Sequence, residues 1–453
     1  MLAAGQGTRM NSALPKVLHP LAGKPLLQHV VNTAAALAPS AIHVVVGHQA
    51  DQVRQAVDAD VHWVEQLEQL GTGHAVQQAL PFVAEGALVL VLYGDVPLVT
   101  AASLNACIQA ARGGDLAMIT ADFSDPAELG RIQRGGDGSI QGIVEYRDAS
   151  EEQRAICEIN SGIMALSQPG LMDYLSRIEP ANAQGEFYLT DVVALAVADG
   201  LAIHGLKAES PEEVMGINDR AQLATMERTF QRRAVGSLMA QGVSVADATR
   251  VDVRGTVEAG QDCFLDVNVV LEGQVSLGRN VYLGPGVVVR DSSLGDGVRV
   301  EPHTVIEGAR VAANCVLGPF AHLRQGTRLE EGVKIGNFVE TKKTVMGRGS
   351  KANHLAYLGD ASLGEDCNVG AGTITCNYDG INKHPTVIGN GVFVGTNSTL
   401  VAPLEIGSGA FIAAGSTVTA TVKSGELAVG RGRQRNIQGW VRPDQRKNEP
   451  ESK

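Results

Sequence analysis

The chain is poor in aromatic side chains, which make up 4% of its 453 residues, so any core it builds is aliphatic. Its six cysteines (Cys107, Cys157, Cys263, Cys315, Cys367 and Cys376) lie far apart, and no Cys-x-x-Cys pair occurs. That spacing excludes a zinc ribbon and a dithiol redox motif, and scattered free thiols suit a reducing, cytoplasmic setting. No run approaches the roughly 18 uninterrupted apolar residues of a membrane span, so no membrane partner is expected. The opening Met1-Leu2-Ala3-Ala4-Gly5 has neither the basic n-region nor the apolar h-region of a secretory signal. Positive charge is also scarce. The 37 Lys and Arg against 49 Asp and Glu give a formal charge of −12, which argues against a nucleic-acid partner. Phosphate-bearing small molecules, which are read by local groups, stay open.

What the chain does have is a spacing of six. Aliphatic residues fall at Ile388, Val394, Leu400, Ile406, Ile412 and Val418 without a miss. The same step links Leu265, Leu271, Leu277, Leu283 and Val289, then Leu294, Val300 and Ile306, then Leu317, Leu323, Leu329 and Ile335. Glycine often follows, as in Leu277-Gly278 and Ile335-Gly336. A helix repeats near 3.6 and a half-buried strand alternates by two, so six fits neither. It is the signature of a parallel β-helix, in which each hexad is a short strand plus a corner and the aliphatic side chain points into a narrow prism. The repeat runs from about 251 to 422. One interruption is informative: between Thr375 and Ile388 the hexad gives way to Cys376-Asn377-Tyr378-Asp379-Gly380-Ile381-Asn382-Lys383. Solenoids carry insertions on a binding face.

Residues 1–218 read differently. Strand-like runs at 42–47 and 87–93 alternate with helix-like stretches at 26–37, 73–80 and 103–111, which predicts an α/β domain with a largely parallel sheet. A charged, helix-favouring stretch at 219–241 ends at Gly242 and reads as a connecting helix. The third segment, 242–453, holds the solenoid and a tail expected to fray after Trp440. Near the start, the small residues Ala3 to Gly7 let consecutive backbone N–H groups face one anion. Arg9 and Lys16 add two cations able to neutralise a triphosphate. Gln66-Leu67-Glu68-Gln69-Leu70-Gly71-Thr72-Gly73 offers amides and open backbone to a nucleobase edge. Tyr93-Gly94-Asp95 closes a buried run, and an Asp at a strand's carboxyl end stands where open α/β sheets bind ligands. One Asp with phosphate oxygens is a usual Mg²⁺ site.

Leu2-Ala3-Ala4-Gly5-x-Gly7-Thr8-Arg9-Met10, followed by Pro15-Lys16, resembles the sugar-nucleotidyltransferase signature, and the hexad repeat resembles the left-handed β-helix acyltransferases. With Gly71-Thr72-Gly73, Tyr93-Gly94-Asp95 and Asn377-Tyr378-Asp379-Gly380 in this order, residues 1 to about 440 resemble one family. It is the bifunctional bacterial N-acetylglucosamine-1-phosphate uridylyltransferase / glucosamine-1-phosphate N-acetyltransferase family. The resemblance implies an α/β Rossmann-like nucleotidyltransferase domain (1–218), a linker helix (219–241) and a left-handed parallel β-helix of hexapeptide repeats with its tail (242–453). It implies acetyl transfer from acetyl-CoA to glucosamine 1-phosphate, then uridylyl transfer from UTP with release of pyrophosphate. The product, UDP-N-acetylglucosamine, is a precursor for peptidoglycan and lipopolysaccharide. It also implies Mg²⁺, a cytoplasmic enzyme, and a homotrimer with the acetyl site between subunits.

Carried over residue by residue, the resemblance places Leu2, Ala3, Ala4 and Gly5 along the nucleotide, with Arg9 and Lys16 on its phosphates. Gln66, Gly71 and Thr72 read uracil, Tyr93 and Gly94 also bind the UTP or UDP-N-acetylglucosamine, and Asp95 and Asn218 hold Mg²⁺. Gly130, Glu145, Asn160 and Thr190 hold the amino sugar. In the solenoid, His354 is the general base, and Arg324, Lys342, Tyr357, Asn368 and Lys383 bind the sugar phosphate. Asn377 and Tyr378, in the inserted loop, complete the site, and Ala371, Thr396, Ala414 and Arg431 contact acetyl-CoA.

The sequence departs from the family in places. A strand of several apolar residues normally precedes the phosphate loop, and only Met1 and Leu2 stand here, so a start upstream of Met1 is expected. One extra residue falls between Gly130 and Glu145, assigned to the turn Gly135-Gly136-Asp137-Gly138. Thr396 stands where Ser is frequent, and Gly432-Arg433 where Val-Pro is expected. Two other readings remain. One is a nucleotidyltransferase for another sugar whose solenoid serves only to oligomerise. The other is a regulatory protein of the exchange-factor type, which should lack the Arg9/Lys16 and Asp95/Asn218 pairs.

Overall fold

A computed structural model describes residues 1–445. The chain divides into two compact units, one formed by Met1–Ser237 with Asp252–Gly255, the other by Leu238–Val251 and the chain from Thr256 onward.

In the first unit, β1 (Leu2–Ala3) pairs in parallel with β2 (His43–Val46), and β2 with β3 (His62–Glu65). Leu2 also bridges to Tyr93, just past β4 (Leu88–Val91). Helix α1 (Leu26–Ala35) buries Leu26, Leu27, Val30, Val31 and Ala34, the spacing of one helical face. Helix α2 (Thr72–Ala79) follows β3, and α3 (Ala101–Ala111) follows β4, its N-terminus capped by the Thr100 hydroxyl. The second sheet departs from the expected parallel pattern. The parallel pair β5 (Leu116–Asp122) and β9 (Ile203–Lys207) is joined by a long strand, β8 (Glu158–Ser167), that runs antiparallel to β4, β5 and the hairpin strand β6 (Arg131–Arg134). The partner of β6 is β7 (Ile140–Val144), and the Gly135–Gly138 segment lies in their turn, beside a register shift at Gln133/Arg134. Apolar runs buried on both faces say nothing of strand direction, which is why the sequence pattern missed this mixed order.

β1 is short, and the sheet is open beyond its first residue. A cavity of about 620 Å³ lies there between β2 and β4, lined by Met1, Leu37, Ile42, His43, Val76 and Leu90 among others. The Met1 α-amine donates to the His43 carbonyl at 2.7 Å, and burial pushes its pKa down from 8.0 to about 5.

A long helix, α4 (Arg220–Ala240), follows the first unit's last loop, and Gly242 just beyond it takes φ +101°, the left-handed stop common at helix ends. The second unit is a parallel β-helix. Every hexad position named above is buried, from Leu265 to Val418. Successive coils stack in register at spacings of 17 or 18, as in Val288, Val305, His322, Glu340, Tyr357 and Ile374. The odd 17 arises because some sides carry five residues rather than six, as between the buried Val289 and Leu294 or Ile306 and Val311. One corner takes left-handed backbone in each coil, at His303, Phe320, Phe338 and Leu355. The coil from Ile374 to Thr399 spans 25 positions against 17 for the coil before it. The excess of eight matches 377–384, a small hairpin closed by His384 N–H to Asn377 C=O at 2.9 Å and a Tyr378–Lys383 bridge. No helix or strand forms at 431–445, and the remainder of the tail expected to fray lies outside the described residues.

Candidate active sites

The first site sits at the carboxyl ends of β1, β3 and β4. The chain leaves β1 through Gly5 to Gly7 and turns at Gly7 with φ +63°, where an added Cβ would stand 2.5 Å from the Lys16 Cβ. Glycine is therefore needed both for the turn and for the closeness of Lys16. The Lys16 ammonium donates to Asp95 Oδ2 at 2.5 Å and Asn218 Oδ1 at 3.1 Å, so residues 79 and 202 positions away converge on it. All three side chains sit in a partly buried setting. One carboxylate oxygen and one amide oxygen already share a cation there, which is the donor chemistry of a hard divalent ion. No group of three His, Cys, Asp or Glu side chains able to hold a metal occurs among the described residues. A metal at Asp95 and Asn218 thus needs further oxygens from substrate. Arg9 stands apart, 63% exposed and 3.8 Å from Glu128, a loose pair worth little on its own.

Next to this group, Gln66 is buried and its amide donates to Gly71 C=O at 3.2 Å and meets His74 Nδ1 at 3.0 Å. Gly71 takes φ +115°, and an added Cβ there would meet the Phe187 carbonyl oxygen at 2.5 Å. Thr72 Oγ1 accepts from the Leu189 N–H at 3.1 Å and also pairs with the Tyr93 hydroxyl. Burial first, then the charges of Glu145 and Asp95, push the Tyr93 hydroxyl pKa up. Its ring packs on Gly162, where an added Cβ would lie 2.4 Å from the ring edge.

Beyond Tyr93 lie the four residues assigned to the sugar. The Gly130 carbonyl accepts from Asn160 N–H at 2.9 Å, and an added Cβ at Gly130 would be 3.2 Å from Glu145 Oε2. Glu145 accepts from the Thr190 hydroxyl at 3.0 Å, and burial raises its pKa above the usual carboxylate range. Asn160 turns its Oδ1 to the Gly162 N–H at 2.9 Å. The first unit thus gathers three adjoining groups. Asp95 joins the cation group to Tyr93, and Gly162 joins Tyr93 to Asn160.

The second site lies on the solenoid, at two edges of one face. Along one edge Asn337 and His354 are register partners in adjacent strands, and His354 Nδ1 lies 2.7 Å from Asn337 Oδ1. An amide oxygen only accepts, so Nδ1 is the donor, and in the neutral ring this leaves the lone pair on Nε2. Ala371, Thr396 and Ala414 occupy the same corner in later coils, tied by Asn397 N–H to Ala371 C=O at 2.7 Å and Gly415 N–H to Thr396 C=O at 2.8 Å. Gly415 in turn has the Arg431 side chain 3.9 Å from where its Cβ would be. The assigned acetyl-CoA residues therefore form one ledge with His354 at its start.

The opposite edge carries cations. Arg324 donates to Glu340 Oε1 at 2.7 Å, and the Lys342 ammonium is held below the usual lysine range by Lys383 first and by Arg324. Tyr357 pairs across the ladder with Glu340, and its hydroxyl lies where a Cβ on Gly359 would be, 2.4 Å away. The inserted loop leaves from this edge. Its Asn377 amide donates to Asp360 Oδ2 at 2.5 Å, while Tyr378 stays 59% exposed. Asn368 is not brought here. It lies on the strand Asn368–Val369 between Lys351 and Phe393, on another face. No hydrogen bond or ion pair joins the His354 edge to the cation edge among the described residues.

Sequence reasoning missed Asn337, Glu340 and Asp360. Each sits 17 residues from a partner that it did name: His354, Tyr357 and Asn377. One coil length was the available signal. His74, which orients Gln66, had none.

Known proteins bear on both units. The MobA-like NTP transferase domain family matches residues 1–161, and the bacterial transferase hexapeptide family, with six repeats, matches residues 385–420. Bifunctional protein GlmU of Marinobacter nauticus is 55% identical over 444 residues, covering 98% of each chain. The proteins of the same name in Alkalilimnicola ehrlichii and Cellvibrio japonicus are each 53% identical, covering 98% of this chain and 96% and 98% of theirs. A crystal structure of UDP-glucose pyrophosphorylase with UDP-glucose aligns with 51% of this chain and 97% of its own at 16% identity and a TM-score of 0.44.

Proposed function

The chain belongs to the GlmU family, a bifunctional uridylyltransferase–acetyltransferase family with a Rossmann-like nucleotidyltransferase domain and a left-handed parallel β-helix, and on that premise we propose how its own residues carry out the two transfers. Acetyl-CoA and glucosamine 1-phosphate give N-acetylglucosamine 1-phosphate and free CoA. UTP and that product then give UDP-N-acetylglucosamine and pyrophosphate. The observation that carries the uridylyl assignment is the cation already held between Asp95 and Asn218.

In uridylyl transfer the backbone from Leu2 to Gly7, with Arg9, receives the triphosphate. Gln66, Gly71 and Thr72 face the base. Gly130, Glu145, Asn160 and Thr190 orient the amino sugar so that its phosphate oxygen stands in line with the α-phosphorus. The new P–O bond forms as the bond to pyrophosphate breaks, and the protein supplies no nucleophile. Asp95 and Asn218 would hold Mg²⁺, which when bound neutralises charge on the transferring phosphoryl group. Lys16, an ammonium next to this pair, stabilises the same developing charge.

In acetyl transfer Arg324, Lys342 and Lys383 hold the phosphate dianion, a cluster whose mutual repulsion is relieved by such a ligand. His354 Nε2 takes a proton from the sugar amine while Nδ1–H stays on Asn337. The amine nitrogen bonds to the thioester carbonyl carbon, the C–S bond breaks, and CoA leaves as the thiol after protonation.

No hydrogen bond or ion pair joins the two edges of the site within one chain among the described residues, and exposed Phe320, Phe338 and Leu355 (48%, 56% and 61%) line the edge that holds His354. Both facts support a homotrimer in which neighbouring copies complete the acetyl site. A cytoplasmic setting is part of the same proposal. No helix among the described residues is long and apolar enough to cross a membrane.

The test is a coupled assay with glucosamine 1-phosphate, acetyl-CoA, UTP and Mg²⁺ that follows free thiol and pyrophosphate separately. Release of both, with uridylyl transfer lost on chelation, is expected. Release of neither ends the reading.

A further inference from the structure

Arg131, at the start of β6, is the largest of the fully buried side chains, 2% exposed. A guanidinium cannot shed its charge at this depth, so its donors must be satisfied locally. No carboxylate lies within ion-pair distance of it among the described residues. Its partners are three backbone carbonyls and one ring. Nη2 donates to Ala127 C=O at 2.9 Å, Nη1 to Leu129 C=O, and Nε to Arg154 C=O at 3.3 Å. The guanidinium carbon stands 5.6 Å from the centre of the Tyr146 ring, and that of Arg154 4.6 Å from it.

These partners bracket the sugar residues of the first site. Ala127 and Leu129 belong to the loop that ends at Gly130, and Ala127 is held there at φ +44°, a strained value for alanine. Tyr146 directly follows Glu145. Arg131 lines up with Val144 across the hairpin, and side chains alternate faces, so its side chain projects away from the face that Gly130 and Glu145 share. It grips the chain on both sides of that pair without reaching substrate.

We propose that Arg131 is a positioning residue of the uridylyltransferase: an internal cation that sets the spacing of Gly130 and Glu145, and with it the fit of the amino sugar. This rests on the assignment of those two residues to the sugar. A carboxylate partner would tie Arg131 to one side chain. Carbonyls tie it to the main chain at Ala127, Leu129 and Arg154, and Tyr146, whose ring it faces and whose own carbonyl accepts from Arg154 Nε at 3.2 Å, carries that grip to the residue after Glu145.

The experiment uses the full chain with Arg131→Met and Arg131→Lys. It reads KM for N-acetylglucosamine 1-phosphate, KM for UTP, kcat, acetyl transfer and the melting temperature. Arg131→Met is expected to raise the sugar-phosphate KM about tenfold, the scale of one lost charge-assisted hydrogen bond. KM for UTP and acetyl transfer should stay within about twofold. Arg131→Lys keeps the charge but cannot reach three carbonyls, and should fall between the two; it carries the test should the Met variant fail to fold. Equal changes in both KM values, or none in either, overturn the inference. Wild-type protein that turns over no UTP would instead overturn the uridylyltransferase reading, which separates the two failures.

Discussion

Extending the chain by four or five apolar residues upstream of Met1 tests the open part of the N-terminal sheet. The Met1 amine sits enclosed, with a pKa near 5 against 8.0 unperturbed. A cation whose pKa falls on folding makes the unfolded chain bind more protons between those two values, so stability rises as pH rises through that window. Between pH 7 and pH 9 the term amounts to about 1.4 kcal/mol, and about 4 kcal/mol would separate pH 5 from pH 9. His19, His29 and His43, all lowered chiefly by burial, add slope of the same sign, but only below their ordinary value of 6.5. The thiols of Cys107, Cys263, Cys315 and Cys367, raised by burial from 9.0, give the opposite slope toward pH 9 in both chains, so the difference between the chains from pH 7 to 9 reports the amine. Extension removes the charge and continues β1 into the cavity. Leu2 bonds to Leu92 C=O and Gly94 N–H, and Ala87 C=O turns the other way, to Gln168. By that alternation Leu90 N–H and C=O, with Leu92 N–H, face the gap and gain partners. Three such bonds at about 1 kcal/mol each, with the amine term, make about 4 kcal/mol at pH 7. For a unit of this size that is a rise of roughly 8–16 °C in melting temperature. Calorimetry of both chains at pH 7 and 9 is the assay. Melting temperatures that agree within about a degree, with the same pH 7-to-9 difference, would refute the reasoning.

Asp95→Ala should abolish pyrophosphate release and leave thiol release intact, and His354→Ala should do the reverse, both read in the coupled assay; loss of both activities in either variant contradicts two separate sites. Asn337→Leu removes the acceptor that fixes the His354 tautomer, so kcat for acetyl transfer should fall roughly 10- to 100-fold with KM for acetyl-CoA little changed, measured by thiol release. Lys342→Met should raise KM for glucosamine 1-phosphate about tenfold in the same assay and leave uridylyl transfer untouched, because it removes one of three clustered cations.

The repeat was legible because its rule is local. An aliphatic side chain every sixth residue states the prism directly, and each position read that way, Leu265 to Val418, is buried. The sides of five were harder, since one missing residue between Val289 and Leu294 looks like the end of a run. Once the coil length is known, partners follow, and Asn337 beside His354 is such a case. The first unit is less readable. β8 runs against β4 and β5, and an apolar strand carries no mark of its direction. The meeting of Lys16, Asp95 and Asn218 depends on closure over 202 residues, which only the family resemblance could anticipate. Arg131 reads as an ordinary strand arginine, because burial of a charge by carbonyls leaves no trace in composition.

The coil that holds 377–384 is eight residues longer than the one before it, yet Ile374 still finds Thr399, and Ala361 finds Thr386, in unbroken register. Faces of this prism are fixed in length by their neighbours above and below, while corners are not. Chain added at a corner is therefore almost invisible to the stack. The Cys376 corner can thus host longer or chemically different hairpins at little cost to the stack that presents them.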